Sequence, residues 1–146
     1  MEHGGAAERG VAQLPRPALV ARLIERRLEQ LSAPAMALAR CAAVAGSDFS
    51  GALAARVLGT SPLALADAWC ELEATQVLRD EAFVHDLLYE AALASVPAPI
   101  ARLLHSEMAL QLQATPGVAP ATLARHWLAA GRFDHARGPL ERAALA

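Results

Sequence analysis

Apolar positions recur every three or four residues along most of this chain, and one short stretch departs from that rhythm. The first stripe is Leu19, Val20, Leu23, Ile24, Leu28 and Leu31, with Arg22, Glu25, Arg26 and Glu29 on the other side. That spacing predicts a helix with one buried face. It should start near Pro17, whose fixed φ suits a first turn. Ser32 with Pro34 marks the next helix start. Between Ala35 and Ala45 only Arg40 is charged, so this helix should be buried on most sides and stop at Gly46. Ser50 can cap a short helix ending at Gly59. Thr60, Ser61 and Pro62 open another, Leu63 to about Thr75, with Leu65, Trp69 and Leu72 on one face.

The departure is Val77 to Val84, the one plausible strand pair, turning at Asp80-Glu81. Asp86 is the expected cap of a helix from Leu87 to Val96. Pro97 and Pro99 break the chain before a longer helix, Ile100 to about Gln113. Pro116-Gly117 and Pro120 mark a loop. Ala121 to Ala130 reads as a helix ended by Gly131, and a last helix starts at Asp134. The expected fold is therefore mainly α, in three parts. Residues 1–14 lack periodicity and read as a disordered lead-in. Residues 15–96 hold a lead helix and a unit of three helices plus a small β-hairpin. Residues 97–146 hold a helical linker and a final helix pair.

Composition refines this picture. Hydrophobic residues make up 55% of 146 residues, enough for a sizeable core. Much of that is alanine, which favours helix but supplies little volume. With aromatics at 4%, the core must rest on Leu, Ala, Val and anchors such as Trp69 and Trp127. A net charge of −2 gives no electrostatic reason to expect nucleic acid or an anionic membrane. The basic residues other than histidine are all arginine, which with the alanine excess reads as high-GC coding bias. No apolar run approaches the ~18–20 residues of a membrane span. Residues 1–14 carry Glu2, Glu8 and Arg9 and lack a signal-peptide core. Cys41 and Cys70 read as buried thiols of a reducing cytoplasm.

Candidate chemistry is sparse. Val84-His85-Asp86 sits between the hairpin and a helix start, where an imidazole can donate a hydrogen bond to a phosphate held by a neighbouring domain. The plain alternative is a histidine that caps or packs the corner, with Asp86 as the helix cap. Arg102 and His105 share a helix at i, i+3, on a solvated or packing face. His126 and His135 lack the Cys or acidic companions of a zinc site. Ser32, Ser47 and Ser50 lack a nucleophile-elbow context.

The stretch FVHDLLYEAAL resembles the Met-His-Asp segment of the winged-helix domain in STAND-type signalling NTPases, with Val84 in place of the methionine. That superfamily includes plant disease-resistance proteins, apoptotic-protease activators and bacterial ATPase-containing transcription regulators. LPRPALVARLIERRLEQLSAPAMALARCAAVAG resembles the segment after the ATPase core of bacterial STAND and cyclase-associated ATPases, with Ala42-Ala43-Val44-Ala45-Gly46 ending the first winged helix. HWLAAGRFDHA resembles the heart of a tetratricopeptide repeat (TPR), in which Gly131 permits the turn and Trp127, Phe133 and Ala136 pack the helix pair. These three stretches are spread between Leu14 and Ala136.

The resemblance implies a winged helix followed by the start of a TPR-like array. One visible repeat, where arrays need about three, implies a piece of a longer protein. It also implies a non-catalytic regulatory segment. The winged helix would dock on the ATPase domain of the same or a cognate protein in the ADP state, with His85 and Asp86 sensing the nucleotide. The chain has no lysine and no phosphate loop. It should therefore hold no cofactor itself and meet ADP or ATP only through that ATPase domain. The repeats would take up a protein partner, without a membrane. Two other readings stay open: a helical interaction scaffold with no nucleotide role, and a DNA-binding winged helix. The latter is disfavoured because the recognition helix would present Asp67, Glu71 and Glu73, and the wing only Arg79 beside Asp80 and Glu81.

Overall fold

The computed structural model describes residues 16–145; the lead-in reading for residues 1–14 lies outside them. The described residues are mainly helical, with a single two-stranded hairpin. In chain order the helices are α1 (Arg16–Glu29), α2 (Ala33–Ala45), α3 (Gly51–Leu58), α4 (Ala66–Ala74), α5 (Asp86–Ala94), α6 (Ala98–Gln113), α7 (Pro120–Ala129) and α8 (Phe133–Leu145). The hairpin strands, β1 (Leu78–Arg79) and β2 (Ala82–Phe83), lie between α4 and α5.

The helix boundaries have local causes. Ser32 caps α2, its Oγ accepting the Ala35 N–H at 3.3 Å. The Glu71 carboxylate in turn accepts the Ser32 N–H and hydroxyl, both at 2.7 Å, and this holds its own pKa below the ordinary carboxylate value. That contact ties the start of α2 to α4 across 39 residues. Ser50 caps α3 by accepting the Leu53 N–H at 3.1 Å, and Gly59 ends it with φ of 65°. At the end of α4 Gln76 takes that role with φ of 59°, and the Val77 N–H bonds the Leu72 carbonyl at 2.8 Å. A non-glycine residue seldom adopts this conformation.

α2 runs through the middle of the molecule. Its Ala35, Leu38, Ala39, Cys41, Ala42 and Ala43 are almost fully buried. α3, α4, α5 and α6 all pack on it, and α1 packs on α5. Alanine at these contacts lets helix backbones approach closely. Leu38, Leu72, Leu78, Leu88 and Met108 supply the bulk that fills the remaining space. Phe49 stacks on Trp69 with ring centroids 5.4 Å apart, and Phe83 meets Tyr89 edge-on at 5.8 Å. A second, smaller core is formed by Ala109, Leu123, Trp127 and Ala136 where α6, α7 and α8 meet. α6 belongs to both cores, giving Met108 to the first and Ala109 to the second.

Two readings need correction. Cys41 is buried, and burial pushes its thiol up to about 11, but Cys70 is exposed because it lies on the outer face of α4. Phe133 does not pack the α7–α8 pair. It is the first residue of α8 and 69% exposed, while Trp127 and Ala136 are buried as expected. Among the described residues no single helix is long and apolar enough to cross a membrane.

The weight of the α2–α4 contact can be measured. Leu72→Ala removes a fully buried side chain and is expected to cost about 2–5 kcal/mol in urea unfolding. Leu63→Ala, at a residue 88% exposed, should stay within about 0.5 kcal/mol. Equal costs for the two would mean that the core is not organised around α2 and α4.

Candidate functional site

The hairpin delivers the chain to α5. Leu78 pairs with Phe83 and Arg79 with Ala82, and the turn runs through Asp80, whose φ is 58°. The Val84 N–H bonds the Val77 carbonyl at 3.0 Å and closes the base. His85 follows in an extended conformation, φ −143° and ψ 140°. Its Nδ1 accepts the Leu87 N–H at 3.0 Å, so His85 is itself the cap of α5.

This corrects the assignment of the cap to Asp86. A capping residue needs non-helical backbone, which His85 has, whereas Asp86 is already the first helical residue. Its carboxylate instead places negative charge in the first turn, where the helix dipole favours it. The cap also orients the imidazole. With Nδ1 accepting, Nε2 is the ring's N–H nitrogen, and the side chain is exposed. Asp86, by contrast, lines an open cleft of ≈ 320 Å³ with Glu81, Ser47, Phe83 and Tyr89. Two carboxylates in that cleft make it unsuited to an anion. His85 and Asp86 are thus neighbours in sequence with different surroundings.

A second constellation escaped the sequence reading. Where Gly46 ends α2, a short 3₁₀ turn carries Asp48. α7 sets His126 against it, with Nε2 2.9 Å from the Asp48 carboxylate. On the other side of the same ring, His126 Nδ1 lies 2.9 Å from Nδ1 of His105 on α6. Arg125 also pairs with Asp48. His126 is 1% exposed, the one polar side chain among the described residues in the fully buried set.

Burial lowers the His126 pKa, while the hydrogen bond to Asp48 and its charge pull the other way. His105 is lowered to about 4, by burial first and then by the charges of His126 and Arg125. Both rings are therefore neutral near pH 7. The arrangement that satisfies every contact has His126 Nε2–H donating to Asp48 and His105 Nδ1–H donating to His126 Nδ1. The result is a continuous chain of hydrogen bonds joining the end of α2 to α6 and α7.

No periodicity marks a contact between Asp48 and His126, which are 78 residues apart. The two histidines read only as a helix-face residue and a rejected zinc ligand. His135, the other half of that pair, packs against Trp127 with tilted rings and centroids 4.6 Å apart. Arg102 does not join the chain; it is exposed, with its aliphatic stem 3.9 Å from the Cβ position of Gly131. Among the described residues no group of three or more His, Cys, Asp or Glu side chains is arranged to hold a metal ion. Comparison with family models, curated proteins and solved structures finds no match to this chain.

The histidine pair makes stability depend on pH. Between about pH 6.5 and 4 the unfolded chain takes up a proton that folded His105 refuses. The unfolded state then binds more protons, so stability falls as pH falls through this window and is level above it. Thermal melts from pH 7.5 to 4.5 should show that decline, and His105→Gln should flatten it. Asp48→Ala should cost about 1–3 kcal/mol at pH 7, because the buried His126 Nε2–H loses its acceptor. A parallel decline in wild type and His105→Gln would assign the pH dependence to His126 or to carboxylates instead.

Proposed function

We propose that this chain is a non-catalytic regulatory segment of a STAND-type signalling ATPase or transcription regulator, acting in the cytoplasm. In this reading α2, α3, α4 and the hairpin are a winged helix, and α7 with α8 is the first TPR-like pair. The winged helix docks on an ATPase domain in the ADP state, and His85 contacts the nucleotide phosphate. ATP binding favours release, and the helical repeats pass the change to a protein partner. Such a switch requires a ligand with different contacts in the two states.

The observation that carries the reading is the exposed, oriented imidazole of His85. Its Nδ1 accepts the Leu87 N–H, which leaves Nε2–H as the donor of an exposed side chain. The three-helix order before the hairpin supports the winged helix. The buried Trp127 and Ala136, with Gly131 at φ of 75°, support the repeat pair. The scaffold alternative draws on the same cap, since capping alone gives an imidazole a reason to be there. DNA binding is less well supported. Asp67 and Glu73 lie exposed on α4 and would meet phosphates with like charge.

Two substitutions separate sensing from capping. His85→Asn keeps a capping side chain but is too short to reach a phosphate, so stability should be nearly unchanged. His85→Ala loses the cap as well, at about 1 kcal/mol. With the cognate ATPase domain present, both should speed ADP release. Loss of a hydrogen bond to a charged group, about 1.5–3 kcal/mol, corresponds to roughly 10- to 150-fold. ADP off-rates and chemical unfolding are the measurements. Unchanged off-rates in both variants, with His85→Ala alone destabilised, would leave His85 as a cap and favour the scaffold.

A further inference from the structure

The exposed surface holds two complementary patches on opposite parts of the chain. One is an apolar cleft of ≈ 430 Å³ between α3 and α4, lined by Gly51, Ala52, Pro62, Leu65, Ala66 and Trp69. Its floor is braced, because Trp69 stacks on Phe49. Its rim is acidic. Glu73 follows Ala66 and Trp69 at i+7 and i+4 on the same face of α4. Glu81 approaches from the hairpin, accepting the Gly51 N–H at 3.0 Å. Neither carboxylate takes part in an ion pair among the described residues.

The other patch is the outer face of α1. Arg16, Val20, Leu23 and Arg27 stand at i, i+4, i+7 and i+11, which places them on one stripe. Two aliphatic side chains lie in the middle, 41% and 56% exposed, and an arginine stands at each end, roughly 16 Å apart along the axis. Ile24 and Leu28, on another face of α1, pack into the core. The outer stripe therefore faces away from its own core. Neither arginine has an acidic partner among the described residues.

We propose that α1 of one copy docks in the α3–α4 cleft of a second copy. Val20 and Leu23 fill the space over Trp69, and Arg16 and Arg27 reach the carboxylates on the rim. The charge pattern selects this occupant: an apolar centre with cationic ends meets an apolar centre with an anionic rim. The same rim repels nucleic acid and anionic lipid. The contact joins two different patches, so it is head-to-tail, and each copy keeps one patch open for the next. This contact is independent of any nucleotide role for His85.

Sedimentation velocity on the chain tests it. The patch is small, so association should become visible near about 0.1 mM, the weak end of specific contacts. Leu23→Asp disables the helix face and Ala66→Arg blocks the cleft, and each alone should be monomeric. Both positions are exposed, so circular dichroism should match wild type. Mixed in equal amounts, the two variants should form a one-to-one dimer that grows no further, since one intact helix face meets one intact cleft. Arg27→Glu and Glu73→Arg should each weaken wild-type association by about tenfold, and combining them should recover much of it. A wild-type monomer at about 1 mM would overturn the proposal. So would a mixture that stays monomeric, or binding of anionic vesicles through Leu23 by a chain that never self-associates.

Discussion

The main core rests on the packing of four helices around the buried face of one alanine-rich helix. α2 has contacts with four other helices, and no bulky side chain separates their backbones at its Ala35, Ala39, Ala42 and Ala43 positions. Alanine alone contributes little hydrophobic volume. The arrangement therefore succeeds only because Leu38 from α2 itself, with Leu72, Leu78, Leu88 and Met108 from its neighbours, fills the space the alanines leave. The ends of α2 are held as firmly as its middle. Ser32 and Glu71 secure the start, and Asp48, in the turn just after the end, reaches α7.

That last contact gives the molecule its second organising feature. A buried histidine is costly unless its ring nitrogens find partners, and His126 finds one on each side. The contact also fixes geometry, because Asp48, His105 and His126 come from three separate elements and each constrains the others. Apolar packing between α6 and α7 sets only an approximate distance. The hydrogen-bonded chain adds a directional constraint to that packing.

The hairpin corner works on a smaller scale by the same logic. Gln76 and Asp80 accept left-handed backbone so that Val77 and Leu78 can be buried and the chain can return to start α5. The imidazole of His85 then becomes a cap through position alone, since it is the last extended residue before the helix. That Nε2 carries the ring's N–H is a consequence of that cap. Any chemistry His85 performs on a partner is therefore built on the same bond that starts the helix.

The helices, the Ser32 and Ser50 caps and the place of the hairpin were legible in the sequence. These are set by interactions within a few residues: Ser32, Ser50 and Gly59 mark boundaries because capping and left-handed backbone are local. The burial of Trp127 and Ala136 was likewise legible, from spacing around Gly131. What Asp48, His105 and His126 do was not legible, because their meeting depends on how whole helices pack across as many as 78 residues. Tertiary packing also moved the cap from Asp86 to His85, exposed Cys70 and left Phe133 in solvent. In each case the local pattern allowed two faces or two neighbouring positions, and the packing of the remaining helices chose between them.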